Sequence, residues 1–129
     1  MSRSREADAG SAAVEFVLVA ALVVAVALGV LQIVLASHVR STLTACASEG
    51  ARVAAVARQG DDAGAARAAA CAESSLGIAP TVTVEHLPVG GRAGVRITLD
   101  ASVPVLALWD GGRVEAGGRA LLEGVDDAP

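Results

Sequence analysis

Gly10–Leu35 reads GSAAVEFVLVAALVVAVALGVLQIVL. From Phe16 onward the run is almost wholly apolar: Gln32 is its one strongly polar side chain and Gly29 its one glycine. About 20 apolar residues at 1.5 Å rise match the ~30 Å hydrocarbon core of a bilayer. The alternative is a buried helix of a soluble domain, but a 129-residue chain has little protein with which to cover such a helix on every side. The run predicts a transmembrane helix over residues 11–36.

Glu15 stands at the mouth of this run. A carboxylate at the edge of hydrocarbon is costly unless it snorkels to the interface or meets a positive partner. Upstream lie the polar residues 1–10, read as a leader outside the fold. Counted from a cut after Gly10, Ser11 is the first residue and Glu15 the fifth. A polar leader, a glycine, a glutamate at the fifth position and an apolar helix together resemble a class III, type IV prepilin-like signal. Gly-Ser-Ala-Ala-Val-Glu-Phe, over Gly10–Phe16, also resembles the N-terminus of the TadE-like family, the minor pseudopilins of tight-adherence (Flp-type) pilus systems. An Ala-rich helix carrying Arg52 and Arg58, then short strands, follows the family's pattern more loosely.

The resemblance implies a pilin-like α+β chain cut between Gly10 and Ser11 by a prepilin peptidase. It implies assembly through Glu15 and Phe16 with other pilin or pseudopilin subunits and pilus-assembly membrane proteins. The new α-amino group of Ser11, largely protonated at neutral pH, would meet the fifth-residue glutamate of a neighbour. Type IV pilins commonly begin with an N-methylated Phe; this chain would begin with Ser11, so methylation does not carry over. The resemblance also places the N-terminus in the cytoplasm and the C-terminal domain outside the cell membrane. Charge does not decide the orientation, because Arg3 and Arg5 before the span are balanced by Arg40 and Arg52 after it. Two other readings stay open. One is an uncleaved, single-pass surface binding or scaffold protein. The other is a small secreted binding protein released at Ala36, after Val34-Leu35-Ala36.

Within the span Ala21, Ala25 and Gly29 recur every four residues. Small residues at that spacing form a smooth stripe on which helices approach closely; chance in an Ala-rich segment produces the same pattern. Ala36, Val39, Leu43, Cys46, Gly50, Val53 and Ala57 continue at helical period, with Arg40, Ser48, Glu49 and Arg52 off the stripe. One helix is therefore expected from about Ser11 to Arg58, weakened by Gly50, with Glu49 and Arg52 as a surface pair. Gln59-Gly60-Asp61-Asp62 breaks it, Gly60 suiting the C-cap and Asp61 or Asp62 the next N-cap. A second helix follows over about Asp62–Ser75, with Ala68, Cys71 and Leu76 on one face, completing a helical hairpin over residues 37–76. Cys46 lies 14 residues before Gly60 and Cys71 11 after it, so the two come roughly level in an antiparallel hairpin. That predicts a disulfide; two free buried thiols are the alternative.

Gly77 and Pro80 end the helical half. Residues 77–123 read as a small antiparallel β region. Thr81–Leu87 alternates with Val82 and Val84 on one face, and Val95–Leu99 alternates again. Pro88–Gly94 reads as a long loop between them. Val103–Trp109 reads as a third strand interrupted by Pro104, Asp110-Gly111-Gly112 as a turn, and Arg113–Glu123 as a weak fourth strand broken at Gly117-Gly118. Residues 124–129 read as a tail.

Composition narrows the function. The chain is 53% hydrophobic but 2% aromatic, its apolar bulk being Ala, Val and Gly, so a core of small side chains needs a staple. All ten basic residues are Arg, and net charge is −4 with or without residues 1–10. An acidic balance and scarce aromatics argue against nucleic acid as a partner. Two cysteines and two scattered histidines, without C-x-x-C or H-x-x-x-H spacing, suggest no metal and no cofactor. His38 is expected at the membrane–water boundary and His86 on a solvated strand face beside Glu85. No nucleophile-elbow, phosphate-loop or zinc-protease motif occurs, so no enzyme is expected.

Overall fold

The computed structural model describes residues 3–56, 59–103 and 112–124. The chain is α+β: helix α1 (Arg3–Ala55), helix α2 (Gly60–Leu76), and strands β1 (Thr81–Val89), β2 (Arg92–Ser102) and β3 (Arg113–Leu121). It divides into two compact units, Met1–Val34 and Leu35–Pro129, with the boundary inside α1.

α1 departs from expectation at both ends. It begins at Arg3, so the segment read as a leader outside the fold is helical. Arg, Glu and Ala are good helix formers and no proline intervenes, so nothing stops the helix there. At the other end it stops at Ala55; Val56 and Gln59 donate backbone hydrogen bonds to Val53 and Val56, the tighter i→i−3 spacing of a closing turn. Ala57 and Arg58 lie outside the described residues.

The first unit holds the segment of α1 long and apolar enough to cross a membrane. Its apolar side chains face outward, Phe16 being 74% exposed. Among the described residues of this unit no apolar layer covers them, the opposite of a soluble core helix.

The second unit has one core. α1 contributes Leu43, Cys46, Ala47, Gly50, Ala51, Ala54 and Ala55, and α2 contributes Gly64, Ala68 and Ala72. The buried face of α1 is wider than the expected stripe: Ala36, Val39 and Val53 are only half-buried, while Ala47, Ala51 and Ala54 are fully covered. The cause is that α1 meets two neighbours here, α2 and the sheet. On α2 Ala68 is buried, with Cys71 and Leu76 packed against the core. α2 opens at Gly60, with Gln59 rather than an aspartate at the N-cap position and no side-chain cap bond. Gly60 itself has φ +76°, so it turns the chain into α2. Gly77, left-handed at φ +66°, closes α2, its N–H donating to the Glu73 carbonyl.

Among the described residues the strands form one antiparallel sheet in the order β1-β2-β3. The long loop expected between the first two strands is a two-residue turn. Val89 pairs with Arg92, and Gly90 and Gly91 both have positive φ, the backbone a tight hairpin needs. Both strands are consequently longer than expected. Val82 and Val84 share the inner face with buried Val95, Ile97, Leu99 and Ala101. The strand expected at Val103–Trp109 lies outside the described residues from position 104 on. Val103 is buried and donates its N–H to the Gly112 carbonyl at 2.6 Å. The expected fourth strand is β3, and it is continuous through Gly117-Gly118 rather than broken. Ala116, Gly118 and Ala120 line its inner side, and a β-carbon on Gly118 would overlap the Ala47–Ser48 backbone of α1. That glycine lets helix and sheet touch.

Candidate assembly site

The residues singled out in the sequence fall along the first unit of α1. Gly10, Ser11, Glu15 and Phe16 are all helical and exposed. Ser11 and Glu15 are four apart, so they lie one above the other on the same face, about 6 Å apart along the axis. Glu15 is the one acidic or basic residue between Gly10 and His38. It has no ion-pair partner among the described residues. A carboxylate here is available to a positive group from outside the helix.

Nothing lies within 4 Å of a β-carbon placed on Gly10 or on Gly29. The fold of this chain therefore requires glycine at neither position. Ala21 and Ala25 are exposed and Gly29 is half-buried. Gln32, one turn beyond Gly29 on the same face, has a buried side-chain oxygen with no hydrogen-bond partner among the described residues. In the sequence Gln32 stands out only as the one polar residue of the run; its place beside the small-residue stripe follows from the three-residue step.

In the second unit, Cys46 and Cys71 form a disulfide with Cα atoms 5.5 Å apart, as the hairpin geometry predicted. It fastens α1 to α2 where the core is built of Ala and Gly. Glu49 does not pair with Arg52; it accepts from Arg67 of α2, at 2.9 Å from Nε. The better partner comes from the second helix because Glu49 sits at the edge of the α1–α2 contact. His86 is exposed to solvent, as expected. It shares the inner side of β1 with Val82 and Val84, and its Nε2 lies 2.8 Å from Asp61 at the start of α2. His38 is exposed, its carbonyl accepting from the Thr42 hydroxyl. Groups of three or more metal-ligating side chains are absent among the described residues.

These features define a class: one helix able to span a membrane, running into a disulfide-fastened helix pair packed on a small antiparallel sheet. Residues 10–52, about a third of the chain, are similar to the family model described as TadE-like protein. The match opens at Gly10, covers Glu15 and the whole apolar run, and ends on α1 just past Gly50. It supports a Tad pilus-related protein. No curated protein and no solved structure matches the chain.

Proposed function

We propose that this chain is a membrane-anchored minor pseudopilin of a tight-adherence (Flp-type) pilus or a related secretion apparatus. A prepilin peptidase cuts it between Gly10 and Ser11. Its second unit stands outside the cytoplasm, where a disulfide persists. The mature Ser11 amine and Glu15 then supply the charges by which pilin-like subunits and assembly proteins engage it in the bilayer. The observation that carries this reading is Gly10 itself. The fold leaves open space around it, yet it begins the family match and stands five residues before the lone carboxylate of the span. A glycine the fold does not need is accounted for by an enzyme that must approach the backbone closely. Replacing Gly10 by a bulky residue should leave the fold intact and a precursor ten residues too long. Normal processing of that variant overturns the reading.

One observation favours an uncleaved, single-pass surface protein instead. α1 is helical straight through Gly10 and Ser11, and a protease takes an extended chain, so cutting requires local unwinding. Glycine lowers that cost by about 1 kcal/mol relative to alanine, which again suits cleavage there. Release at Ala36 would cut α1 inside its helical run.

A further inference from the structure

Among the described residues the order β1-β2-β3 leaves β1 and β3 each with one unpaired edge. β2 is antiparallel to both, so β1 and β3 run in the same direction. Leu122 donates to the Ala93 carbonyl, so the odd residues of β2 bond β3 and the even ones bond β1. On β3, therefore, Glu115, Gly117, Arg119 and Leu121 turn their backbone N–H and C=O groups outward; on β1, Val82, Val84 and His86 do so.

The side chains on the outer face of β3 are unbalanced. Arg119 is exposed and lies directly across from Arg96 of β2, and like charges so placed destabilise a strand pair. It makes no ion pair among the described residues. Leu121 is the one large apolar side chain beyond Leu35 left exposed among the described residues, at 41%. β1 carries what would balance both: Glu85 is exposed, 4.0 Å from Arg96, and Leu87 stands two residues further on the same face, half-buried.

We propose that β3 of one copy of this chain pairs in parallel with β1 of a second copy, extending the sheet from edge to edge. In the level register, residues that share a β2 partner come side by side. Arg119 and Glu85 share Arg96, Leu121 and Leu87 share Gly94, and Gly117 and Thr83 share Thr98. Arg119 then has the partner's Glu85 beside it, and exposed Leu121 has the partner's Leu87. Gly117 and Arg119 donate to the carbonyls of the partner's Val82 and Val84, and accept from the N–H groups of the partner's Val84 and His86. Pro88, without an N–H, ends the ladder there.

This join suits chains anchored in one membrane. Gly118 lies against Ala47–Ser48, and Glu123 donates to the Ala55 carbonyl, so β3 runs the same way as this part of α1. A parallel join therefore keeps these parts of α1 parallel in neighbouring copies. α2 packs on β1 and β2, and α1 on β3, so the partner's α2 rather than its α1 comes beside α1. One edge meeting the opposite edge is a heterologous contact, which closes into a ring or runs on as a filament. The inference goes beyond the pseudopilin reading and stands without it.

The test uses the full chain in its membrane, carrying Thr83→Cys and Gly117→Cys together. Within one chain β2 separates the two sites by roughly 10 Å, beyond disulfide reach; across the join they are one strand spacing apart, about 4.8 Å. Both sites are exposed, a β-carbon on Gly117 has its nearest contact at 3.6 Å, and the native cysteines are bonded to each other. Mild oxidation should give a ladder of dimers, trimers and longer species. Either substitution alone should leave monomer, because like sites lie three strand spacings apart. Arg119→Glu in the double variant should abolish the ladder, and Arg119→Lys should retain it. Arg119→Glu also relieves the like-charge pair with Arg96, so the melting temperature should hold or rise, separating lost pairing from misfolding. A double variant that stays monomeric, a ladder indifferent to Arg119→Glu, or equal cross-linking by either single variant would each overturn the proposal.

Discussion

Gly50 of α1 and Gly64 of α2 meet backbone to backbone. A β-carbon on Gly50 would lie 2.6 Å from the Gly64 carbonyl oxygen, and one on Gly64 would lie 2.7 Å from that of Gly50. The helices approach this closely because neither residue has a side chain, and the same approach brings Cys46 level with Cys71.

Gly50→Ala should therefore destabilise the second unit. In an open helix the change gains up to about 1 kcal/mol from propensity. Here the added carbon overlaps backbone and the Ala68 methyl, and overpacking of this kind costs about 1–3 kcal/mol. Thermal unfolding should show Gly50→Ala and Gly64→Ala melting below wild type, while Gly10→Ala, in open space, melts at or above it. A rise in melting temperature for Gly50→Ala would mean the helices are further apart than described.

The disulfide should matter more here than in a domain with a large core. It closes a separation of 25 residues, for which loop entropy gives about 3 kcal/mol. Reduction, or Cys71→Ser, should lower the melting temperature of the chain measurably. Equal melting with and without reductant would remove the bridge from any stabilising role.

Much of this was legible in residue order. The long apolar run, the Gln59–Asp62 break, the level cysteines and the two alternating strands all report local periodicity or turn chemistry, and the structure has each of them. What the sequence concealed was tertiary. Gly50 read as a weak point of a helix and Gly117-Gly118 as a strand break; Gly50 and Gly118 are close backbone contacts, visible only once the neighbouring element is in place. Glu49 and His86 were assigned to their own elements because local spacing names no distant partner, yet both reach α2. The Pro88–Gly94 stretch looked like loop because its glycines dominate composition, whereas only Gly90 and Gly91 turn. At the candidate site the legible part was Gly10 and Glu15, since a single charge in an apolar run needs no fold to be noticed.

The stripe of Ala21, Ala25 and Gly29 gives a prediction about assembly. Ala25 is exposed, so leucine there disturbs nothing within the chain. Leucine is also more apolar, so insertion should be unchanged. Ala25→Leu should reduce co-purification with pilin-like partners if this face packs against another helix. Wild-type recovery of partners would leave the stripe a matter of composition.

Glu15→Gln and Glu15→Ala should insert normally, since each removes a charge from the edge of the hydrocarbon. They should fail to enter a complex with other pilus subunits, because neutralising one member of a poorly solvated pair leaves the other uncompensated. Membrane fractionation and co-purification separate the two effects. A Glu15→Ala chain that assembles as wild type would remove the charge pairing from the account.

The most direct test is the N-terminal residue and intact mass of the protein isolated from cells with an active prepilin peptidase. The account predicts a chain beginning at Ser11, shorter than the full sequence by residues 1–10. A chain beginning at Met1 or Ser2 would contradict it.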